Sequence, residues 1–188
     1  MAQGTQQEQL RSSDESNQRQ IHLAQAQGEA FQHAVNNMTQ KTAHGTERRV
    51  GDYLIGYAVE DAEGLYHLNG GKLEWVEPQD ENAHVEVVVR NAADGRFLPN
   101  LTVFATLIDS AGNEVGTHEQ PFLWHPWIYH YGRNWRVPGD GTYTLRVHVD
   151  APTFPRHDKI NGKLYAEPAE VEFKNVTIQT GRKKSHGA

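Results

Sequence analysis

From Asp52 onward the chain alternates apolar and polar residues over short runs, each closed by Gly, Asn, Asp or Pro. Alternation at period two marks a strand with one buried face. The pattern predicts strands over 52–60, 65–68, 72–76, 84–90, 101–108, 114–118, 134–137, 142–149 and 170–178. Asn69-Gly-Gly71 between two apolar alternations is a tight-hairpin signal. Short strands with turn residues at this spacing predict an all-β fold, an antiparallel immunoglobulin-like β-sandwich. There is no internal repeat, no βαβ alternation and no glycine-rich phosphate loop.

The first 45 residues follow a different period. Ile21, Ala24, Phe31, Val35 and Met38 fall close to one helical face, after a Ser12-Ser-Asp-Glu15 capping-box pattern. This predicts a helix over about 13–40, weakened by Gly28, whose narrow apolar stripe docks on the main domain or on a partner subunit. Ala43 to Arg49 reads as linker. The expected organisation is therefore residues 1–12 disordered, 13–45 helix and linker, 46–181 the β-sandwich domain, and 182–188 a basic tail. The cluster Gly181-Arg-Lys-Lys-Ser185 reads as solvation of a loose end.

Composition narrows the chemistry. The net charge is −6, which argues against nucleic acid as a partner because phosphate binding needs a concentrated basic face. There is no cysteine, so thiolate catalysis, Cys-rich zinc sites and disulfides are excluded. No window approaches a membrane span, and the polar first residues lack the pattern of a signal peptide. The expected location is the periplasm or another extracytoplasmic space if a leader was removed, and otherwise the cytoplasm. Eleven histidines in a small acidic chain raise the prospect of metal binding.

One stretch breaks both periods. Phe122-Leu-Trp-His-Pro-Trp-Ile-Tyr-His-Tyr-Gly132 reads as a packed, ordered loop that fixes His125 and His130, with Pro126 interrupting any ladder. His84 opens a strand, and Glu86 two residues on shares its face, ~6.6 Å along the strand. His157 lies in the long loop after the 142–149 strand. Loops gather at the ends of a sandwich, which allows His84, His130 and His157 to converge. Imidazoles with one carboxylate suit copper, zinc or ferrous iron. Taken singly, each histidine reads more readily as a hydrogen-bonded surface or half-buried residue than as a ligand. His148, on the face of Arg146 and Asp150, has a solvated or cross-strand role.

Several motifs resemble one family in order and spacing. Ala83-His-Val-Glu86 is similar to the His-Leu-Glu-Ala motif of the periplasmic ferrous-iron transport accessory proteins. Gly95-Arg-Phe-Leu-Pro-Asn-Leu-Thr-Val103 resembles that family's Gly-Phe-Trp-x-Pro-Tyr-Leu-Thr-Val. Gly116-Thr117, Pro121 and His130-Tyr-Gly132 follow its Gly-Thr, Met-Pro-Met and Pro-His-Tyr-Gly. Gly141-Thr-Tyr-Thr-Leu and Arg156-His157 match its Gly-x-Tyr-x-Leu and Gly-Arg-His. The resemblance implies a small copper-binding β-sandwich homodimer that assists a membrane iron permease. It implies His84, His130 and His157 as metal ligands and Glu86 as an adjacent one. The family's Met ligand falls on Leu123 or Phe122 here, and neither binds a metal. The family's second histidine is Arg90. His125 is a candidate for the vacated Met position. The expected function is metal binding, copper first and iron or zinc as alternatives, in metal uptake or handling and without catalysis. The competing expectation is a copper- or iron-dependent enzyme with an open three-histidine site that activates oxygen or water.

Overall fold

A computed structural model describes residues 9–42 and 46–184. The expectations for 1–8, for the linker residues 43–45 and for 185–188 lie outside the described residues. One helix, α1 (Gln18–Asn37), is followed by a short π-helical turn at Met38–Thr42. Eleven strands come next: β1 (Glu47–Val50), β2 (Tyr53–Glu60), β3 (Leu65–Asn69), β4 (Lys72–Val76), β5 (Ala83–Asn91) and β6 (Val103–Ile108). The series continues with β7 (Glu114–Glu119), β8 (Phe122–Trp124), β9 (Tyr129–Trp135), β10 (Gly141–Val149) and β11 (Ala169–Ile178).

The strands form a five-stranded sheet, β1-β2-β5-β9-β8, and a four-stranded sheet, β11-β10-β6-β7. Among the described residues, the strand pairings within them are antiparallel. The β3–β4 hairpin stands apart as a two-stranded unit, with Tyr66, Leu68, Leu73, Trp75 and Val76 exposed. The sandwich core lies between the two large sheets. Val85, Val87 and Val89 of β5 meet Leu145, Val147 and Val149 of β10 there, with Tyr131, Trp135 and Phe173 as the large side chains. The all-β sandwich with an N-terminal helix thus forms as the periodicity predicts.

Three local expectations are corrected. Residues 47–50 are a strand paired with β2, not linker. The helix begins at Asn17 rather than Ser12. Asn17 accepts from the Gln20 N–H, and the Gln20 side chain accepts from the Asn17 N–H. This is the same reciprocal capping logic with amides in place of Ser and Glu. The expected cap, Ser12, donates its hydroxyl to the Gln18 side chain instead, and the neighbouring Ser13 hydroxyl donates to Asp158 at 2.6 Å. Just upstream, the Arg11 N–H donates to Asn161.

The third correction concerns the aromatic stretch. It is a β-hairpin rather than a loop: β8 and β9 pair, with Leu123 opposite His130, and only the tip from His125 to Ile128 is non-strand. Alternation is hidden because the exposed Arg133 interrupts the parity of Tyr131 and Trp135, and Gly132 interrupts the other. Tyr131 and Trp135 enter the sandwich core, while His130, Gly132 and Asn134 face the other way.

That outer face of the five-stranded sheet is where α1 docks. Val35 and Met38 pack on Ala58, Val88 and Ile128, with Phe31 and Phe97 beside them. Full burial of a side chain such as Val35 or Ile21 contributes roughly 1.5–3 kcal/mol. Arg90, where the family has a histidine, is a clamp for this docking. It forms a two-point pair with Glu47 (3.0 and 2.6 Å) and donates to Gln32 of α1 (2.6 Å) and to the Gly95 carbonyl (3.0 Å). Gly28 serves the docking as well, because a Cβ there would sit 1.7 Å from the Asp94 carbonyl oxygen. It trades helix propensity for close approach. With its outer face covered, β5 is buried along its whole length, polar residues included.

Candidate metal centre

The β5–β9 register builds the site. His84 pairs with Asn134 and Glu86 with Gly132, so His84, Glu86, His130, Gly132 and Asn134 share the outer face of adjacent strands. His84 is 0 %, Glu86 5 % and His130 1 % exposed. Their ligand atoms all lie within 4.8 Å of one another. His130 Nε2 is 3.4 Å from Glu86 Oε1, and the two imidazoles meet edge to face, 6.2 Å between centroids.

Asn134 sets the orientation of His84. Its Oδ1 accepts from His84 Nδ1 at 2.8 Å, which fixes the proton on Nδ1 and leaves the Nε2 lone pair facing the site. The same side chain clamps the β2–β3 connection, donating to the Glu63 carbonyl and accepting from the Glu63 N–H. Gly132 makes room between the rings. A Cβ there would lie 3.1 Å from His84 Nε2 and 3.3 Å from the His130 ring.

His84 Nε2 and both nitrogens of His130 are buried without a hydrogen-bond partner. Buried polar atoms are rarely left so. Burial pushes the His130 pKa down to about 3, helped by the neighbouring His84 and His125, while Glu63 and the Ile128 backbone oppose the shift. Burial also lowers His84, against the pull of Glu63. Both rings are therefore neutral, the form in which imidazole binds a metal. Glu86 is raised to about 8 by burial and then by the negative charges of Glu60 and Glu63.

An ion pair network borders the triad. Lys183 pairs with Glu60 and lies 2.8 Å from Glu63. The backbone around Lys183 is tied to the β2–β3 connection by Ala62–Gly181 and Lys183–Ala62 hydrogen bonds. This corrects the expectation for the basic cluster: Lys183, though exposed, is paired with two carboxylates and is not a solvated loose end. Burial works against its charge, but hydrogen bonds to Glu60 and Glu63 more than offset it and raise its pKa.

The other expected residues are placed differently. His125, half-buried at the hairpin tip, stands at the rim of the site with its ring 6.3 Å from His130 and against Trp127. Its Nδ1 is buried without a partner. His157 is not brought to the cluster within the chain. It lies in the β10–β11 loop with its side chain 92 % exposed, 3.9 Å from Glu15 at the approach to α1. That loop follows β10, which belongs to the opposite sheet. His148 is spanned by Asp150 and Glu170 on the surface, as its strand position predicts. Sequence reasoning missed Glu60, Glu63, Asn134, Gly132 and Lys183. Asn134 carried a usable signal, the same parity as His130 on one strand. Lys183, 120 residues from Glu63, carried none.

The residues present fit a transition-metal ion. Two neutral imidazoles and a carboxyl group converge in a buried cluster, three nitrogens lack partners, and a glycine opens the space between the rings.

A sequence search among curated proteins finds no match. Among solved structures, the copper-reconstituted P19 protein of Campylobacter jejuni superposes with a TM-score of 0.61 at 17 % identity, covering 74 % of this chain and 96 % of that one. FetP of uropathogenic Escherichia coli, recombinantly expressed in the periplasm, gives a TM-score of 0.57 at 20 % identity, covering 72 % of this chain and 95 % of that one. A copper-bound variant of FetP gives 0.57 at 18 %, covering 73 % and 98 %. These likenesses establish a shared fold. The family model described as Fe2+ transport protein matches residues 72–179, which include His84, Glu86, His125, His130 and His157 and leave out Glu60, Glu63 and Lys183. With more than half of its length matched, the chain belongs to the Fe2+ transport protein family.

Proposed function

We propose that the protein binds a transition-metal ion, copper or ferrous iron, through His84, Glu86 and His130, and hands it on in metal uptake. His125 guards the rim. The observation that carries this reading is the buried triad with its unpartnered imidazole nitrogens. Copper in the structures of P19 and FetP supports copper as one occupant. The family description supports iron. Zinc is the remaining candidate on donor chemistry. The triad side chains are at most 6 % exposed. That degree of closure suits sequestering a small ion, which supports a binding role.

The setting proposed for this activity is extracytoplasmic, with the protein acting as a homodimer beside a membrane iron permease. Among the described residues no helix is long and apolar enough to cross a membrane.

Metal analysis of the purified protein, followed by isothermal titration with Cu(II), Zn(II) and Fe(II), tests the reading. The wild type is expected to bind at least one of these ions tighter than about 1 μM, a free energy near −8 kcal/mol. The His130→Ala protein is expected to lose that binding. No ion bound at this strength by the wild type overturns the proposal.

A further inference from the structure

We infer that Glu63 is a further ligand-bearing residue of this centre, delivered by the β2–β3 connection, and that it biases the site toward divalent ions and away from Cu(I). The inference rests on the metal-binding reading above. It concerns a residue outside the stretch matched by the family model.

Geometry carries it. His84 Nε2, fully buried and without a hydrogen-bond partner, is 3.7 Å from Glu63 Oε1. Two donors of a tetrahedral ion with metal–donor distances near 2.1 Å stand about 3.4 Å apart. The His84–Glu63 separation is close to such an edge, as is the 3.4 Å between His130 and Glu86. The two edges share one pocket, since the triad atoms are mutually within 4.8 Å. Glu63 is not a member of that tighter group, and it joins the ligand set by a rotation of its side chain about a fixed backbone.

The backbone of Glu63 is already fixed. Asn134 holds its N–H and its carbonyl while orienting His84, so ligand and imidazole are positioned by a single amide. Lys183 takes Glu63 Oε2 at 2.8 Å and leaves Oε1 toward His84.

Charge and donor type set the preference. Glu60, Glu63 and an ionised, ligating Glu86 carry three negative charges, and Lys183 carries one positive charge. A divalent ion neutralises the remainder, whereas Cu(I) leaves a net negative charge in a half-buried site, which is costly. Two imidazoles and two carboxylates also lack the thioether sulfur that favours Cu(I).

The test is Glu63→Gln, which keeps shape and leaves the main-chain hydrogen bonds to Asn134 in place. Zn(II) and Cu(II) affinities are expected to fall at least tenfold, with Cu(I) affinity, measured by chelator competition, within twofold of wild type. The parallel hyperfine splitting in the electron paramagnetic resonance spectrum of the Cu(II)-loaded protein is expected to shift. Divalent affinities and spectrum identical to wild type overturn the inference while leaving the triad reading intact, provided His130→Ala still abolishes binding. Retention of binding by His130→Ala overturns the triad reading itself. Equal losses for Cu(I) and the divalent ions overturn the selectivity and leave Glu63 as a positioning residue.

Discussion

The strand-borne and the loop-borne histidines of this chain have different fates. His84 and His130 sit on neighbouring strands in fixed register, and their rings meet in a buried pocket. His125 and His157 sit on connections. One stands at the rim and the other is 92 % exposed beside Glu15. A strand dictates where a side chain points, because successive residues take opposite faces. A connection dictates no such thing, and its residues go where packing of the flanking elements leaves them. Spacing along a strand therefore fixes where side chains lie relative to one another within the chain, and spacing along a connection does not.

The sharpest way to break this contrast is to remove one histidine of each kind. His130→Ala is expected to weaken metal binding by at least about 100-fold, since even outer-shell partners cost 10–100-fold. Titration calorimetry reads it, and near-wild-type binding would end the distinction. Asn134→Ala comes next. Without its amide, His84 is free to rotate and to change tautomer, and affinity is expected to fall about 10–100-fold with the fold retained. Circular dichroism alongside the titration separates this from unfolding.

The pH dependence of the metal-free protein is a third measure, and its sign follows from two opposed groups. Glu86 keeps its proton in the fold up to about pH 8, against an ordinary value of 4.5, so stability falls as pH rises between these values. His130 stays neutral in the fold down to about pH 3, against 6.5 when free, so stability rises with pH across that window. The two slopes cancel between 4.5 and 6.5, where His84 and His125, also lowered by burial, tilt stability upward with pH, and above 6.5 the falling Glu86 limb remains. Denaturant melts are expected to show stability falling by up to about 1.4 kcal/mol per pH unit from 6.5 to 8. Glu86→Gln should flatten that limb, and an unchanged slope would contradict the assignment.

A gentler change sharpens the question of the missing sulfur. Leu123 pairs directly with His130 across β8 and β9, so their side chains share a face. Leu123→Met is expected to return a soft donor beside His130 and raise Cu(I) affinity on the order of tenfold. No gain in a chelator competition would mean that position 123 does not reach the ion. The smallest effect belongs to the loop. His157→Ala should leave metal affinity of the isolated subunit unchanged, and a clear loss would bring His157 back into the ligand set.

Much of the architecture was legible beforehand. The alternation in Leu101–Ile108 and in Thr142–Val149 returned as β6 and β10, and Asn69-Gly-Gly71 returned as the β3–β4 turn. Legibility failed at β9, where the parity of Tyr131 and Trp135 is interrupted by the exposed Arg133 and the other parity by Gly132, so the alternation is too short to mark the strand. It failed again at the helix start, where Asn17 rather than a serine closes the capping box.

The sequence by itself determined the sandwich, the helix and the common face of His84 and Glu86, because period and local turn chemistry are properties of neighbouring residues. Only the tertiary structure decided that β9 lies beside β5, that Asn134 orients His84, and that Lys183 and Glu63 meet across 120 positions. It also decided that Arg90 holds the helix over the sheet and that His157 stays apart. These are long-range contacts fixed by register and by the burial of whole faces, and no local pattern encodes them.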